Sequence, residues 1–285
     1  MPHKSIAVLY HGGCPDGLGS AYAAWKKLGE EAEYIPVKHD RPIPEGLEGK
    51  RLYLLDFCYN TKEDMARLEA LSSGLTIIDH HEGAKEVIES VGDHVYDAAH
   101  SGAGLAWMYF HPDDSLPYFL SLVEKADLYQ PLSEDERAII TYCYAQPFNF
   151  HTWDEHVRRM DDPEEREAII ERGNTYAEYF SLITDQFEHS AELVSFEGYT
   201  VYLAAGERMF ITELGARLRE KQPPFALIAR VSAVGIRVSL RGDGSVDVAK
   251  IAQKYGGNGH PNSAAFTIFW GAPIPWQPLP EETRP

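Results

Sequence analysis

The sequence predicts an α/β protein: an N-terminal parallel-sheet domain that binds metal, a helical linker, and a smaller C-terminal α+β domain. Three observations predict it. Short apolar runs alternate with helix-length segments through the first half, as they must where crossovers join parallel strands. Three of those runs end in acids or histidines: Ile6-Ala-Val-Leu-Tyr10 before His11, Arg51-Leu-Tyr-Leu-Leu55 before Asp56, and Gly74-Leu-Thr-Ile-Ile78 before Asp79-His80-His81. After Tyr199 the order becomes strand, helix, two strands, short helix and strand, which suits a small mixed sheet.

At 285 residues with 44% hydrophobic content, the chain can bury a core in each of two domains. The expected bounds are 1–160 for the metal-binding domain, 161–195 for the linker, 196–271 for the second domain and 272–285 for a proline-rich tail. No run approaches the ~18 apolar residues of a membrane span, and Met1-Pro-His-Lys lacks an apolar segment after its basic start, so a cytoplasmic location is expected. Cys14, Cys58 and Cys143 are odd in number and show no paired spacing, which argues against a disulfide framework. The net charge of −18 opposes binding of long duplex nucleic acid, which needs Lys and Arg to neutralise phosphates. Residues 195–270 nevertheless hold nine Lys and Arg against six Asp and Glu, as they would if one domain held metals and the other phosphates.

The first strand runs into His11-Gly-Gly-Cys14-Pro-Asp16-Gly-Leu-Gly19-Ser20, and a helix is expected from Ala21 to Leu28, stopped by Gly29. Glycines 12, 13, 17 and 19 would let the backbone turn tightly and bring His11 and Asp16 together above the sheet. Tyr34-Ile-Pro-Val37 is a weaker strand, and Asn60 or Thr61 can cap a helix from Lys62 to Leu71. Three successive strand–helix units thus deliver His11, Asp16, Asp56, Asp79, His80 and His81 to one sheet edge, where open α/β sheets place their chemistry. Carboxylate and neutral imidazole at one lip are the usual ligands of manganese, iron, zinc or magnesium.

Ser101 in His100-Ser-Gly-Ala-Gly104 reads as a plain helix cap, although such a terminus can face an anion. A helix spans Leu116 to Tyr129, with Asp127 near its end. His151 and His156 miss the i, i+4 spacing of a helical metal pair and read as structural or surface. Asp162 caps and Pro163 opens a long charged helix running to about Ser195. Strands follow at Thr200–Leu203, Phe225–Val231, Ile236–Arg241 and Ala264–Trp270, with helices at Thr212–Lys221 and Val246–Tyr255. Gly256-Gly-Asn-Gly-His260 is read as a loop whose exposed N–H groups suit an anion, and the tail after Ala272 as extended or disordered.

His11…Asp16-Gly, Asp56, Asp79-His80-His81 and Gly256-Gly-Asn-Gly-His260, in this order over nearly the whole chain, resemble the DHH phosphoesterases with their associated C-terminal domain. The resemblance implies a metal-dependent phosphodiesterase or phosphatase acting on short oligonucleotides or small nucleotides, such as nano-RNA, linear dinucleotides or phosphoadenosine phosphate. It implies Asp56 as the carboxylate bridging two divalent ions, usually manganese. His11 would serve the first ion, and Asp16, His80 and Asp127 the second; Asp79 would orient the histidines, and His81 would touch the scissile phosphate. Arg241 and His260, with the backbone of Gly256, Gly257 and Gly259, would grip the substrate's terminal phosphate.

One departure matters: where the family's first motif carries an acid, this chain has Cys14 in Cys14-Pro-Asp16. A thiolate prefers zinc or iron to manganese, so Cys14 either selects a different first metal or does not ligate and leaves that ion weakly held, and weak holding is expected because Pro15 restricts the turn. The expected partner is the nucleotide substrate, with no membrane and no long duplex; a homodimer is left open. Rival readings are a pyrophosphate or polyphosphate hydrolase and a catalytically weak nucleotide-binding regulator.

Overall fold

The computed structural model describes residues 4–38 and 41–279, so the expectations for residues 1–3 and 280–285 fall outside the described chain. Two compact units divide it, Met1–Ala177 and Glu178–Pro285.

The first unit runs β1 (Ile6–His11), α1 (Pro15–Leu28), β2 (Ala32–Val37), β3 (Arg51–Leu55), α2 (Lys62–Leu71), β4 (Gly74–Asp79), α3 (Lys85–Ile88), β5 (His94–Tyr96), α4 (Gly102–Phe110), α5 (Tyr118–Asp127), α6 (Glu134–Tyr144) and α7 (Phe150–Asp161), and ends within α8 (Pro163–His189). Its sheet has the order β2-β1-β3-β4-β5 with every pairing parallel. Alternation sends Val8, Leu55 and Ile78 to a core under α1, α4 and α5, and Ala7, Leu54 and Ile77 to a second core under α2. Burial on both faces explains the unbroken apolar runs, since each buried Leu or Ile contributes about 1.5–3 kcal/mol. Strand order reverses between β1 and β3, so their C-terminal tips border a crevice.

The turn after β1 is tighter than the sequence suggested. Helix α1 begins at Pro15, not Ala21, because Cys14 takes an extended N-cap conformation and proline suits the first helical position. Of its four glycines, only Gly13 turns the backbone through a left-handed φ, of 78°. Gly17 and Gly19 are helical and serve close approach: an added Cβ would lie 2.2 Å from His11 O and 2.8 Å from Ala103 Cβ respectively.

The second unit continues from α8 into β6 (Glu192–Phe196), β7 (Tyr199–Ala205), α9 (Ile211–Lys221), β8 (Phe225–Ser232), β9 (Gly235–Gly242), α10 (Val248–Lys254), β10 (Asn258–His260), β11 (Ser263–Phe269) and β12 (Gln277–Pro278). The sheet order is β10-β11-β9-β8-β7-β6-β12, antiparallel except for β7 beside β8. One face buries Val201, Leu227, Val238, Leu240 and Phe266 with α10, and the other buries Ala204, Ala226 and Ile228 with α9.

Two segments differ from expectation. The long helix stops at His189, and Glu192–Phe196 is a strand whose Val194 and Phe196 are buried while Glu192 and Ser195 are exposed. The tail does not run free from Ala272, because Trp276 packs on the core and β12 pairs antiparallel with β6, covering that edge. Among the described residues no helix is long and apolar enough to cross a membrane.

Within the first unit, α8 crosses α6 at a glycine: a Cβ at Gly173 would lie 2.0 Å from Ala138 O. Backbone cannot yield as a side chain does, so Gly173→Ala is expected to destabilise the protein by about 1–3 kcal/mol. Chemical denaturation checks this, and an unchanged midpoint would contradict the crossing.

Candidate metal centre

The tips of β1, β3 and β4, the start of α1 and the end of α5 bring His11, Cys14, Asp16, Asp56, Asp79, His80, His81 and Asp127 together. Their donor atoms form three overlapping groups, each within 4.8 Å: His11, Cys14 and Asp56; Asp16, His80 and Asp127; and Asp56, Asp79, His80 and His81. Asp56 lies at the junction, with Oδ2 3.3 Å from His11 Nδ1 and Oδ1 3.3 Å from His80 Nε2. It holds this place in left-handed backbone, φ 51°, a conformation Asp tolerates at a strain of roughly 1 kcal/mol or more. His80 Nε2 also lies 3.6 Å from Asp16 Oδ2 and 3.5 Å from Asp127 Oδ2.

The three buried acids are compensated differently. Asp79 Oδ1 accepts from the backbone N–H groups of His80 at 2.7 Å and His81 at 3.2 Å, and lies 2.7 Å from His81 Nδ1. With Nδ1–H donating there, His81 presents Nε2 away from the acid, and its side chain is 43% exposed. Asp16 accepts from the N–H groups of Gly102 at 2.7 Å and Ala103 at 2.9 Å, so the N-terminus of α4 faces an anion that belongs to the chain itself. Asp56 has neither support. Both its carboxylate oxygens and His80 Nε2 are buried without a hydrogen bond among the described residues.

The titration behaviour follows. Burial pushes Asp56 upward, yet His11 and His80 outweigh it and hold the carboxyl at about 2. Asp56, with Cys14, raises His11 to about 10, and the Asp79 contact raises His81 to about 9. Burial, then the charges of Asp56 and Asp127, raise Asp16, and burial raises Asp127. Buried acceptors converging on a shared point, with imidazoles and a thiol among them, fit divalent cations better than they fit one another.

Two features of this edge were missed in the sequence. Ser101 does cap α4, accepting from Gly104 N–H, but the donors facing Asp16 come from the next two residues. Tyr144, at the end of α6, has its phenol raised by burial and then by Asp16, Cys14 and Asp127, which places it beside the cluster. The run Ser-Gly-Ala-Gly signalled the first; nothing local signalled the second. His151 is at the surface, and His156 is buried between Phe119 and Tyr142.

The remaining predicted residues lie in the second unit. The register sets His260 opposite Ser263 and Ser263 opposite Arg241, one row across β10, β11 and β9 on the same face. Gly256-Gly-Asn-Gly is not an anion-binding loop of free N–H groups. Gly256 and Gly257 donate to Gln253 O and Ala252 O to close α10, and Gly259 donates to Asn258 Oδ1. Glycine is needed there for close approach, since a Cβ at Gly259 would lie 2.4 Å from Ala264 Cα.

A Cβ at Gly102 would meet Asp56 Cβ at 2.6 Å and Asp16 Oδ2 at 2.9 Å. Gly102→Ala is therefore expected to displace both acids, lowering metal affinity by about 10–100-fold while the fold is kept. Calorimetric titration with a divalent ion, beside a melting curve, checks it; wild-type affinity would contradict the packing described.

No family model matches the chain. It is 25% identical to oligoribonuclease NrnB of Bacillus subtilis, over 91% of this chain and 72% of that protein. Protein R106 of Acanthamoeba polyphaga mimivirus is also 25% identical, over 92% and 67% respectively. Among solved structures, the pGpG-specific phosphodiesterase PggH from Vibrio cholerae shares the fold with a TM-score of 0.55 at 15% identity, over 94% of both chains. The DHH domain of a protein assigned to a family of ribosomal proteins does so with a TM-score of 0.55 at 12% identity, over 94% of this chain and 83% of that one. The chain thus shares the fold of a DHH domain, is similar along nine-tenths of its length to an oligoribonuclease, and carries the Asp79-His80-His81 strand tip.

Proposed function

We propose that the protein hydrolyses phosphodiester bonds of short oligonucleotides or small nucleotides, using two divalent ions, manganese foremost. The observation that carries this reading is Asp56, which turns one oxygen to the His11 and Cys14 group and the other to His80. We assign His11, Cys14 and Asp56 to one ion, and Asp16, Asp56, His80 and Asp127 to the other. Bound there, divalent ions would supply Lewis acidity toward the phosphoryl group and the attacking water.

The chain's own residues do the rest. Asp79 fixes the His81 ring through Nδ1, so that Nε2 can donate to a phosphoryl oxygen as charge develops. The Gly102 and Ala103 N–H groups aim the Asp16 carboxylate and offset part of the cost of its burial. In the C-terminal unit, Arg241 and His260 present a guanidinium and an imidazole from one sheet face to a phosphate of the nucleotide. Similarity to an oligoribonuclease favours oligonucleotides over inorganic polyphosphate.

Asp56→Ala is expected to abolish hydrolysis of a manganese-supplemented dinucleotide and to lower the number of ions retained, with an unchanged fold. Wild-type turnover and metal content in that variant would overturn the assignment. Arg241→Ala and His260→Ala are expected to raise KM for phosphate-bearing nucleotides by an amount equivalent to about 1.5–3 kcal/mol each. A chromogenic phosphodiester without a second phosphate should respond little; equal effects on both substrates would assign these residues to the fold.

A further inference from the structure

The row of Arg241, Ser263 and His260 occupies one end of a longer face. Alternation puts Ser239 and Arg237 on the same side of β9 as Arg241, and Ala265, Thr267 and Phe269 on the same side of β11 as Ser263. The register sets Arg237 opposite Thr267 on one flank and opposite Arg230 of β8 on the other. Helix α9 comes close at the Arg241 end, where a Cβ at Gly215 would lie 2.6 Å from Arg241 Cγ, but Arg237 is exposed. Arg230 reaches Glu207 at 3.9 Å, whereas Arg237 makes no ion pair among the described residues. Phe269 is 64% exposed and lies opposite Gly235, which carries no side chain to cover it. Among the described residues, no side chain on this face of β9, β10 and β11 is acidic, in a protein of net charge −18.

We propose that this face is a track for a single-stranded oligonucleotide: Arg237 and Thr267 hold a phosphate further along the strand than the one at Arg241 and His260, and Phe269 stacks on a base. The proposal rests on the function argued above and specifies its substrate as a strand longer than a dinucleotide. Arg237 and Arg241 are four residues apart on β9, about 13 Å, so they address different phosphates of one extended strand. Guanidinium and hydroxyl groups match phosphate oxygens, while an exposed aromatic ring accepts any base. An acidic protein surface would also meet the arginines, but it would make no use of a lone ring in line with them. In a protein of net charge −18, strands that present two arginines and no acid are a place that attracts an anionic strand.

The test compares wild type, Arg237→Ala and Phe269→Ala on a dinucleotide and a five-nucleotide RNA with manganese. Anisotropy of the labelled five-nucleotide RNA is measured without metal, and melting curves confirm folding at these exposed positions. Each substitution is expected to weaken five-nucleotide binding and raise its KM at least about fivefold, with kcat and the dinucleotide KM unchanged. Arg237→Ala should also lower the slope of log affinity against log salt by about 0.7. Unchanged five-nucleotide binding, or equal KM changes on both substrates, overturns the track, as does a changed oligomeric state in Arg237→Ala without a change in binding. If wild type binds the five-nucleotide RNA through Arg237 yet cleaves neither substrate, the track stands and the catalytic reading fails.

Discussion

Three carboxylates, Asp16, Asp56 and Asp79, each 1% exposed, meet at one sheet edge, and burying like charges is the constraint to which the first unit answers. Buried charge without a partner is expensive, often by several kcal/mol per ion. A sheet covered on both faces leaves its strand tips as the place where polar groups can gather, so the acids cannot be dispersed. The compensations are unequal. Asp79 is satisfied by two backbone N–H groups and His81, and Asp16 by the start of α4. Asp56 has only the proximity of the His11, His80 and His81 imidazoles, so the demand for a cation is concentrated on the residue shared by two donor groups.

Features recorded in local pattern were legible, and features created by packing were not. Apolar runs ending in His11, Asp56 and Asp79-His80-His81 fixed which strand tips would meet, because a buried parallel strand has to be apolar throughout. Tyr144 reaches the same edge only because α6 folds back over it, and nothing in its neighbourhood distinguishes it, whereas Asp127, equally unmarked locally, was named through the family resemblance alone. Ser101-Gly-Ala-Gly104 reads as a cap and is one, but the anion its neighbours face is 86 residues away. Gly17 and Gly19 looked like turn residues because glycine serves both turns and close helix approach, and only the partner decides which. Glu192–Phe196 was absorbed into the preceding helix because a short alternating strand with a charged first residue also satisfies a helical pattern.

In the second unit, the glycine-rich motif works differently from its sequence appearance. Its N–H groups are engaged in ending α10 and on Asn258, so the tight backbone serves to lay β10 against β11. That close pairing aligns His260 with Ser263 and Arg241. On our proposal, recognition then becomes a property of rows on a sheet face, where spacing is set by strand geometry instead of by loop conformation. The modest basic excess of residues 195–270 understates the effect on β9, β10 and β11, whose side chains beside Arg237, Arg241 and His260 include no acid.

Cys14 fits the same electrostatic constraint. Its Sγ lies in the donor group of His11 and Asp56, at an N-cap whose side chain makes no capping hydrogen bond. A carboxylate here would add another acid beside Asp56, in an edge already short of compensating charge. A thiol becomes a ligand only on losing its proton, so binding of a metal here is linked to proton release. The same exchange weakens the hold on hard ions such as manganese and strengthens it on zinc or iron. On our assignment the first position therefore gives up hard-ion affinity. The group of Asp16, His80 and Asp127, with no sulfur, keeps its preference for hard or borderline ions.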